Sequence, residues 1–189
     1  MKADFAASVF IGTSLDGFIA RENGDIEWLT KWDAVLGDTG FDAFFASIDT
    51  LVVGRNTYET VREFEPWPYE GKRVLVFSRT MAGRHTADEL EPLTSIHDSL
   101  DEVVTTLNDD GARRVYVDGG QTIQTFLRAG LITDMIISRA PVLLGSGIPL
   151  FGPLDHDIEL SLTGMRQLNG GFSQTTYKVV NDVVKGSAS

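Results

Sequence analysis

The chain has 189 residues, no cysteine and a formal net charge of −11. Its length suits one domain with a single large core, and the lack of cysteine excludes disulfides, thiolate metal sites and cysteine nucleophiles. The acidic balance argues against nucleic acid as a partner, because phosphate-backbone binding is driven by basic surface. The N-terminal apolar run is too short for a membrane span and lacks a signal-peptide pattern, so we expect a cytoplasmic protein that does not bind membranes.

Seven apolar runs predict β-strands, and no linker or repeat separates them. Several are apolar on both faces, as the strands of a covered sheet are. The predicted strands are residues 8–13, 50–54, 73–78, 114–118, 135–142, 158–165 and 172–180. We therefore expect one domain over residues 1–184, followed by a disordered tail at 185–189.

Four helix-like runs lie between these strands, at 39–47, 57–62, 100–108 and 121–129. Ser99 is a predicted N-cap of the third run, and Gly111 follows its end. The alternation of strands and helices predicts parallel βαβ crossovers with helices on both faces. The last two strands turn at Asn169, Gly170 and Gly171, which predicts a hairpin. The expected fold class is α/β, with three α-β-α layers around a mixed, mostly parallel sheet that has an antiparallel C-terminal edge hairpin.

Small, hydroxylated and basic residues follow three of the predicted parallel strands. Ligands of such sheets lie beyond the C-terminal strand ends. Glycine at a strand-to-helix turn lets the backbone approach a diphosphate, and arginine with hydroxyl groups suits a phosphate monoester. Each group alone is equally compatible with a tight turn or a solvated charge, but their convergence on one rim favours a phosphate site. The candidates are Gly54, Arg55, Asn56 and Thr57; Ser78, Arg79 and Thr80; and Gly119, Gly120, Gln121 and Thr122.

Several familiar catalytic and binding motifs are missing from the sequence. There is no G-x-G-x-x-G fingerprint, no Walker P-loop and no G-x-S-x-G nucleophile elbow. The histidines, His85, His97 and His156, have no metal-like spacing. We therefore expect loop or surface histidines and no metal site.

Six segments occur in an order that is specific as a set. They are SLDGFIA, GDIEWLT, DTLVVGRNTYE, RVLVFSRT, VYVDGGQTIQTFL and PVLLGSGIPLF. Together they resemble the dihydrofolate reductase superfamily, and more closely the reductase domain of the bifunctional riboflavin-biosynthesis deaminase-reductase. The resemblance covers roughly residues 8–180.

The resemblance implies an NADPH-dependent oxidoreductase that transfers a hydride to a small heterocyclic substrate. It assigns residues 54–57 to the phosphate region of the cofactor, 78–80 to the adenosine 2′-phosphate and 119–122 to the diphosphate. A 2′-phosphate site implies NADPH rather than NADH. The family often pairs subunits through strands at the sheet edge, so a homodimer is also expected.

Three residues are implied at the reaction end of the site. Trp28 matches a tryptophan that borders the cofactor site in the riboflavin branch, although packing under a loop is the alternative role. Asp118 matches a substrate-proximal glutamate of that branch, although it equally suits a capping acid for the following helix. Asp16 is a further candidate for this end of the site.

The chain also departs from the riboflavin reductases. Residues 56–73 lack the Asp-Asp-Pro pattern and additional arginines that grip the substrate's ribose phosphate in that branch. The leading hypothesis is a reductase resembling 5-amino-6-(5-phosphoribosylamino)uracil reductase of riboflavin biosynthesis. The alternatives are a dihydrofolate or pterin reductase, with Asp38 or Asp42 as the pterin-contacting carboxylate, and a non-catalytic NADP-binding module.

Overall fold

The computed structural model describes residues 2–81, 91 and 93–180. The strands are β1 Ala6–Thr13, β2 Phe18–Ala20, β3 Thr50–Gly54, β4 Arg73–Phe77, β5 Thr94–His97, β6 Arg114–Asp118, β7 Ile132–Arg139, β8 Ile148–Pro149, β9 Leu160–Gln167 and β10 Ser173–Val179. The helices are α1 Glu27–Thr30, α2 Asp33–Leu36, α3 Phe41–Ala46, α4 Arg55–Val61, α5 Leu100–Asp109 and α6 Gly120–Arg128. The predicted tail at 185–189 and His85 lie outside the described residues.

An eight-stranded sheet in the order β5-β4-β3-β6-β1-β7-β10-β9 forms the centre of the fold. The pairs from β5 to β7 are parallel, whereas β7–β10 and β10–β9 are antiparallel. The last two strands are joined through the turn Asn169–Gly171. A second, two-stranded antiparallel sheet pairs β2 with β8. The predicted mixed sheet with an antiparallel C-terminal edge is therefore confirmed.

Helices cover both faces of the sheet because its inner strands carry apolar residues on both sides. Val115 and Val117 of β6 belong to a core cluster with α5 and α6. Tyr116, which points the other way, belongs to a second cluster with α3 and α4. The three-layer prediction is thus confirmed. Among the described residues, no helix has the length and apolarity needed to cross a membrane.

The long elements match their predicted positions more closely than the short ones. The four predicted helices are α3 to α6, and Ser99 caps α5 by accepting the Glu102 N–H at 3.3 Å. The strand predicted at 135–142 is found at Ile132–Arg139, three residues earlier at both ends. Its start includes the polar residue Asp134, whose carboxylate accepts the Ser8 and Thr133 hydroxyls at 2.9 Å. The short elements α1, α2, β2, β5 and β8 were not predicted, since two to four residues show too little periodicity.

His97 contradicts the expectation of a loop or surface histidine. It lies in β5, and its side chain is buried. Its Nε2 atom is 2.8 Å from the Ser95 hydroxyl, and Nδ1 is 3.6 Å from a carboxylate oxygen of Glu102. The Ser95 hydroxyl thus partners Nε2, whereas Nδ1 has no hydrogen-bond partner among the described residues. The sequence spacing did not reveal this buried position. His156 is exposed, as expected.

Candidate functional site

The C-terminal ends of β4, β3 and β6 lie side by side at one edge of the sheet. Gly54 of β3 is opposite Phe77 of β4, and Val53 is opposite Asp118 of β6. The predicted convergence of the groups that follow these strands is therefore confirmed. We call this edge the three-strand rim. It comprises Gly54, Arg55, Asn56, Thr57, Ser78, Arg79, Thr80, Gly119, Gly120, Gln121 and Thr122.

Side-chain hydrogen bonds join the residues that follow β3 to those that follow β4. Arg55 donates from Nη1 to the Thr80 hydroxyl at 3.3 Å and from Nε to Asn56 Oδ1 at 3.3 Å. The hydroxyls of Ser78 and Thr80 are 3.2 Å apart. Arg79 is exposed beside them. The rim thus presents two guanidinium groups and a hydroxyl pair, which is the donor set that a phosphate monoester requires.

Gly119 shows why this turn needs glycine. Its φ is +96° and its ψ 131°, a backbone region that other residues avoid. A Cβ atom there would lie 2.9 Å from the Thr57 hydroxyl, and one on Gly54 would lie 3.0 Å from the Thr122 hydroxyl. The starts of α4 and α6 therefore approach each other closely. Gly119 is the N-cap of α6 and supplies no side-chain cap, so the first amides of this helix suit an anion such as a diphosphate.

Gly120 has a different environment from its neighbour. It is buried, and a Cβ atom there would lie 3.0 Å from Ile19 Cδ1 and 3.1 Å from the Pro149 carbonyl oxygen. The start of α6 thus packs on the small sheet of β2 and β8. The absence of a side chain at Gly120 serves this packing, whereas Gln121 is exposed at the rim.

Strands β1 and β6 separate towards the rim. Their pairing runs from Ala6 and Arg114 to Ser8 and Tyr116, although β1 continues to Thr13. Beyond that point the Tyr116 hydroxyl donates to the Phe10 carbonyl at 2.9 Å. A crevice therefore opens between the two strands beside the C-terminal end of β6, the position where open α/β sheets bind ligands.

Asp118 ends β6 at this crevice, on the face that carries α3 and α4. Its side chain is half-buried, and Oδ1 accepts the Gly119 N–H at 2.8 Å. Burial raises the pKa of Asp118 to about 6. The pKa values of Tyr69 and Tyr116 are raised mainly by burial and, to a smaller extent, by the charge of Asp118. Both phenol groups therefore lie close enough to interact electrostatically with this carboxylate. The Asp118 carboxylate thus lies directly before α6 and accepts the N–H of its N-cap residue, Gly119.

Trp28 lies in α1 and is 4% exposed. It packs with Ala140, Leu168 and Phe172 in a small cluster that also contacts Leu29. The indole N–H has no hydrogen-bond partner among the described residues. In this position the ring supports the segment that covers the end of β1.

Asp16 follows β1 and holds a neighbouring loop. Its carboxylate accepts the Ser14 hydroxyl at 2.6 Å, the Gly145 N–H at 2.8 Å and the Leu144 N–H at 3.1 Å. These hydrogen bonds, the one from Ser14 above all, lower the pKa of Asp16. The carboxylate therefore joins the turn after β1 to the segment that precedes β8.

The acids considered for a pterin site are both exposed. Asp38 accepts the Gly40 N–H at 2.7 Å and so closes a local turn. Asp42 lies in the first turn of α3. Neither carboxylate has the enclosed environment of Asp118.

A cavity of about 290 Å³ lies at the ends of β1 and β7. Its polar lining includes Arg139 and Thr13, which are opposite each other in the β1–β7 register. Sequence reasoning missed both residues, although one arginine in the apolar run MIISRAP was a usable signal. We call this space the β1–β7 cavity. It is lined by Thr13, Leu15, Asp16, Gly17, Ile137, Arg139, Leu150 and Phe151.

Comparison with known proteins places the chain in a family. Residues 8–173 match the family model described as the RibD C-terminal domain. A solved structure from Shewanella sp. PV-4, a protein provisionally named for riboflavin biosynthesis, is 39% identical with a TM-score of 0.82, over 94% of this chain and 100% of that one. The uncharacterized protein YwjB of Bacillus subtilis (strain 168) is 35% identical over 84% of this chain and 90% of its own length.

A longer relative gives the same assignment. The riboflavin biosynthesis protein RibD of Corynebacterium ammoniagenes is 29% identical over 82% of this chain. The match covers 48% of that protein, so the chain spans about half its length. Because the family model spans most of the chain and includes the whole three-strand rim, the protein belongs to the RibD C-terminal domain family.

Proposed function

We propose that the protein is an NADPH-dependent reductase of a small heterocyclic substrate, in the manner of 5-amino-6-(5-phosphoribosylamino)uracil reductase. The observation that carries this proposal is the convergence of two arginines, a hydroxyl pair and a glycine turn on the three-strand rim. Family membership supports a reductase of the riboflavin type.

The rim residues fit the phosphates of NADPH by their chemistry. Arg79, with the hydroxyls of Ser78 and Thr80, suits the 2′-phosphate. Arg55 donates to the Thr80 hydroxyl and so places a second guanidinium beside these residues. Gly119 and the first amides of α6 suit the diphosphate. When bound, NADPH supplies a hydride to an electrophilic carbon, and a proton completes the reduction.

Asp118 is the residue that we propose to position the substrate. It adjoins the crevice between β1 and β6. Its half-buried carboxylate lies close enough to Tyr69 and Tyr116 to raise the pKa values of both beyond the effect of burial. An ionised carboxylate there accepts hydrogen bonds from amino or hydroxyl groups, such as those of an aminouracil. Its raised pKa of about 6 also leaves a protonated fraction near neutral pH.

The test is loss of NADPH absorbance with 5-amino-6-(5-phosphoribosylamino)uracil and, separately, with dihydrofolate. We expect turnover with the aminouracil and little with dihydrofolate. Preferential turnover of dihydrofolate would instead favour the pterin reductase. Tight NADPH binding without turnover of either substrate would identify a binding module, and absence of NADPH binding would refute the proposal.

We also propose that the protein forms a homodimer through β9. This edge strand is exposed along most of its length and presents Leu160, Leu162 and Met165 to solvent. Long apolar edge strands readily pair with a second chain. Sedimentation should give a dimer, Leu162→Lys should give a monomer, and Ser161→Lys in the same strand should stay dimeric. A monomeric parent protein would refute this assembly.

A further inference from the structure

The β1–β7 cavity holds an arginine that the three-strand rim does not use. Arg139 is half-buried and forms no ion pair or side-chain hydrogen bond with any described residue. The chain has 27 acidic and 16 basic residues, and several other arginines do have acidic partners: Arg21, Arg73 and Arg114. The guanidinium of Arg139 therefore keeps its full capacity for an anion from outside the chain.

Thr13 is a second, independent sign of a ligand. It lines the same cavity, is 1% exposed, and its hydroxyl has no hydrogen-bond partner among the described residues. Buried hydroxyls are normally paired, because an unpaired one destabilises the fold. Thr13 and Arg139 are neighbours across parallel strands, about 4.8 Å apart along the sheet. One anionic group can contact both side chains.

The acid in the cavity wall is held by partners other than Arg139. Asp16 forms no ion pair with Arg139, and its carboxylate is held by Ser14 and by the amides of Leu144 and Gly145. The remaining walls include the apolar side chains of Leu15, Ile137, Leu150 and Phe151. They suit the carbon skeleton to which an anionic group is attached.

The cavity is close to the three-strand rim. Leu150 lines the cavity and donates its N–H to the Gly17 carbonyl at 3.0 Å. The carbonyl of the preceding residue, Pro149, lies 3.1 Å from the position of a Cβ atom on Gly120, at the start of α6. One residue of β8 thus separates the cavity from the helix that begins at the rim. The cavity and the crevice between β1 and β6 therefore both lie beside the C-terminal end of β1.

We infer that Arg139 and Thr13 bind the anionic group, a phosphate or a carboxylate, of the small substrate. This assignment rests on the proposed reductase function. The arginine fork binds two anion oxygens, and the threonine hydroxyl donates to one of them. The protein therefore selects acidic substrates over their neutral analogues.

The test is equilibrium binding of matched ligand pairs by calorimetry, without NADPH. One pair is 5-amino-6-(5-phosphoribosylamino)uracil and its dephosphorylated riboside; the other is dihydrofolate and a dihydropterin without the glutamate tail. In one of the two pairs, the anionic member should bind at least about tenfold more tightly than the neutral member. A preference in the first pair indicates a phosphate site, and a preference in the second pair indicates a carboxylate site. Arg139→Gln should abolish the preference, whereas Arg113→Gln, at the opposite end of β6, should retain it.

Two further measurements separate the possible failures. Equal binding within both pairs, or a preference that survives in Arg139→Gln, would overturn the inference. NADPH binding is measured separately by nicotinamide fluorescence. A protein that does not bind NADPH would refute the reductase proposal, whereas the ligand pairs alone test the anion site. Thr13→Val should weaken binding of the anion several-fold and leave the melting temperature equal or higher, because it removes an unpaired hydroxyl. A lower melting temperature with unchanged binding would assign Thr13 to structure alone.

Discussion

The three-strand rim and the β1–β7 cavity lie at the same end of the sheet but are assembled differently. The rim is built from residues that directly follow three neighbouring parallel strands, so strand register alone brings them together. The cavity combines the ends of β1 and β7 with the turn after β1 and the segment after β8. A rim of this kind is visible in a sequence, whereas such a cavity depends on loops whose positions are set by tertiary contacts.

The two regions also differ in how water reaches their charges. Arg55 and Arg79 at the rim are exposed, whereas Arg139 in the cavity is half-buried. Salt screens exposed charges more strongly than enclosed ones. Anion binding at the rim should therefore depend more steeply on ionic strength than anion binding in the cavity.

The largest effect is expected from Gly119→Ala, which tests the close packing of the rim. The φ of +96° and the Thr57 hydroxyl 2.9 Å from the new Cβ atom should together cost about 2–4 kcal/mol of unfolding free energy. NADPH affinity should fall as well. Gly130→Ala is the matched control, because its φ is +66° but nothing lies within 4 Å of its Cβ position. Urea denaturation and NADPH titration measure both effects, and unchanged NADPH binding in Gly119→Ala would contradict the diphosphate assignment.

Arg79→Ala tests the cation at the rim. It should weaken NADPH binding by about 10- to 100-fold, since a charged hydrogen-bond partner of the 2′-phosphate is lost. NADH binding should change little. Arg73→Ala, at a residue paired with Asp110 at the N-terminal end of β4, should leave both affinities unchanged. Equal weakening of the two cofactors by Arg79→Ala would rule out the 2′-phosphate role.

Asp118→Asn tests the half-buried carboxylate that directly precedes the glycine turn of the rim. Because the folded-state pKa of about 6 exceeds the ordinary 3.8, the folded protein binds the proton more tightly than the unfolded chain. Its stabilising contribution is therefore present at low pH and is lost as the pH rises from about 4 to 6. Asparagine keeps an acceptor for the Gly119 N–H without the charge.

The asparagine variant should be more stable than the parent protein by about 1–2 kcal/mol at pH 8 and equally stable near pH 4. Its kcat/KM should nevertheless fall. Asp109→Asn, at an exposed acid in α5, is the control and should show neither change. A stability difference independent of pH would contradict the assigned proton binding.

Asp16→Asn should have the smallest effect on stability, because the carboxylate is exposed. The substitution tests whether the hydrogen bonds from Asp16 to the amides of Leu144 and Gly145 shape the cavity wall. The pKa of Asp16 is lowered, so its contribution is present at neutral pH and is lost as the pH falls through the folded-state pKa. We expect a slight fall in melting temperature at pH 7 and anion binding weaker by about two- to threefold. Asp25→Asn, outside this loop, is the control and should leave anion binding unchanged. If Asp16→Asn also left anion binding unchanged, the loop would not shape the cavity.

The sequence by itself determined the parts of the protein that depend on local chemistry. Strands β3 and β6 were located residue for residue, and α5 was found from its capping serine and apolar spacing. The rim followed from these strands, because parallel strands place their C-terminal ends at one edge. The individual ligand contacts of the rim residues stay predictions.

Only the tertiary structure decided the surroundings of particular side chains. It gave Asp118 a half-buried site with a raised pKa, buried Trp28 beneath the segment at the end of β1, and assigned the Asp16 carboxylate to a loop 128 residues away. It also brought Arg139 and Thr13 together in a cavity. The physical reason is that burial and pairing depend on contacts between distant residues, whereas strand and helix patterns depend on residues that are close along the chain.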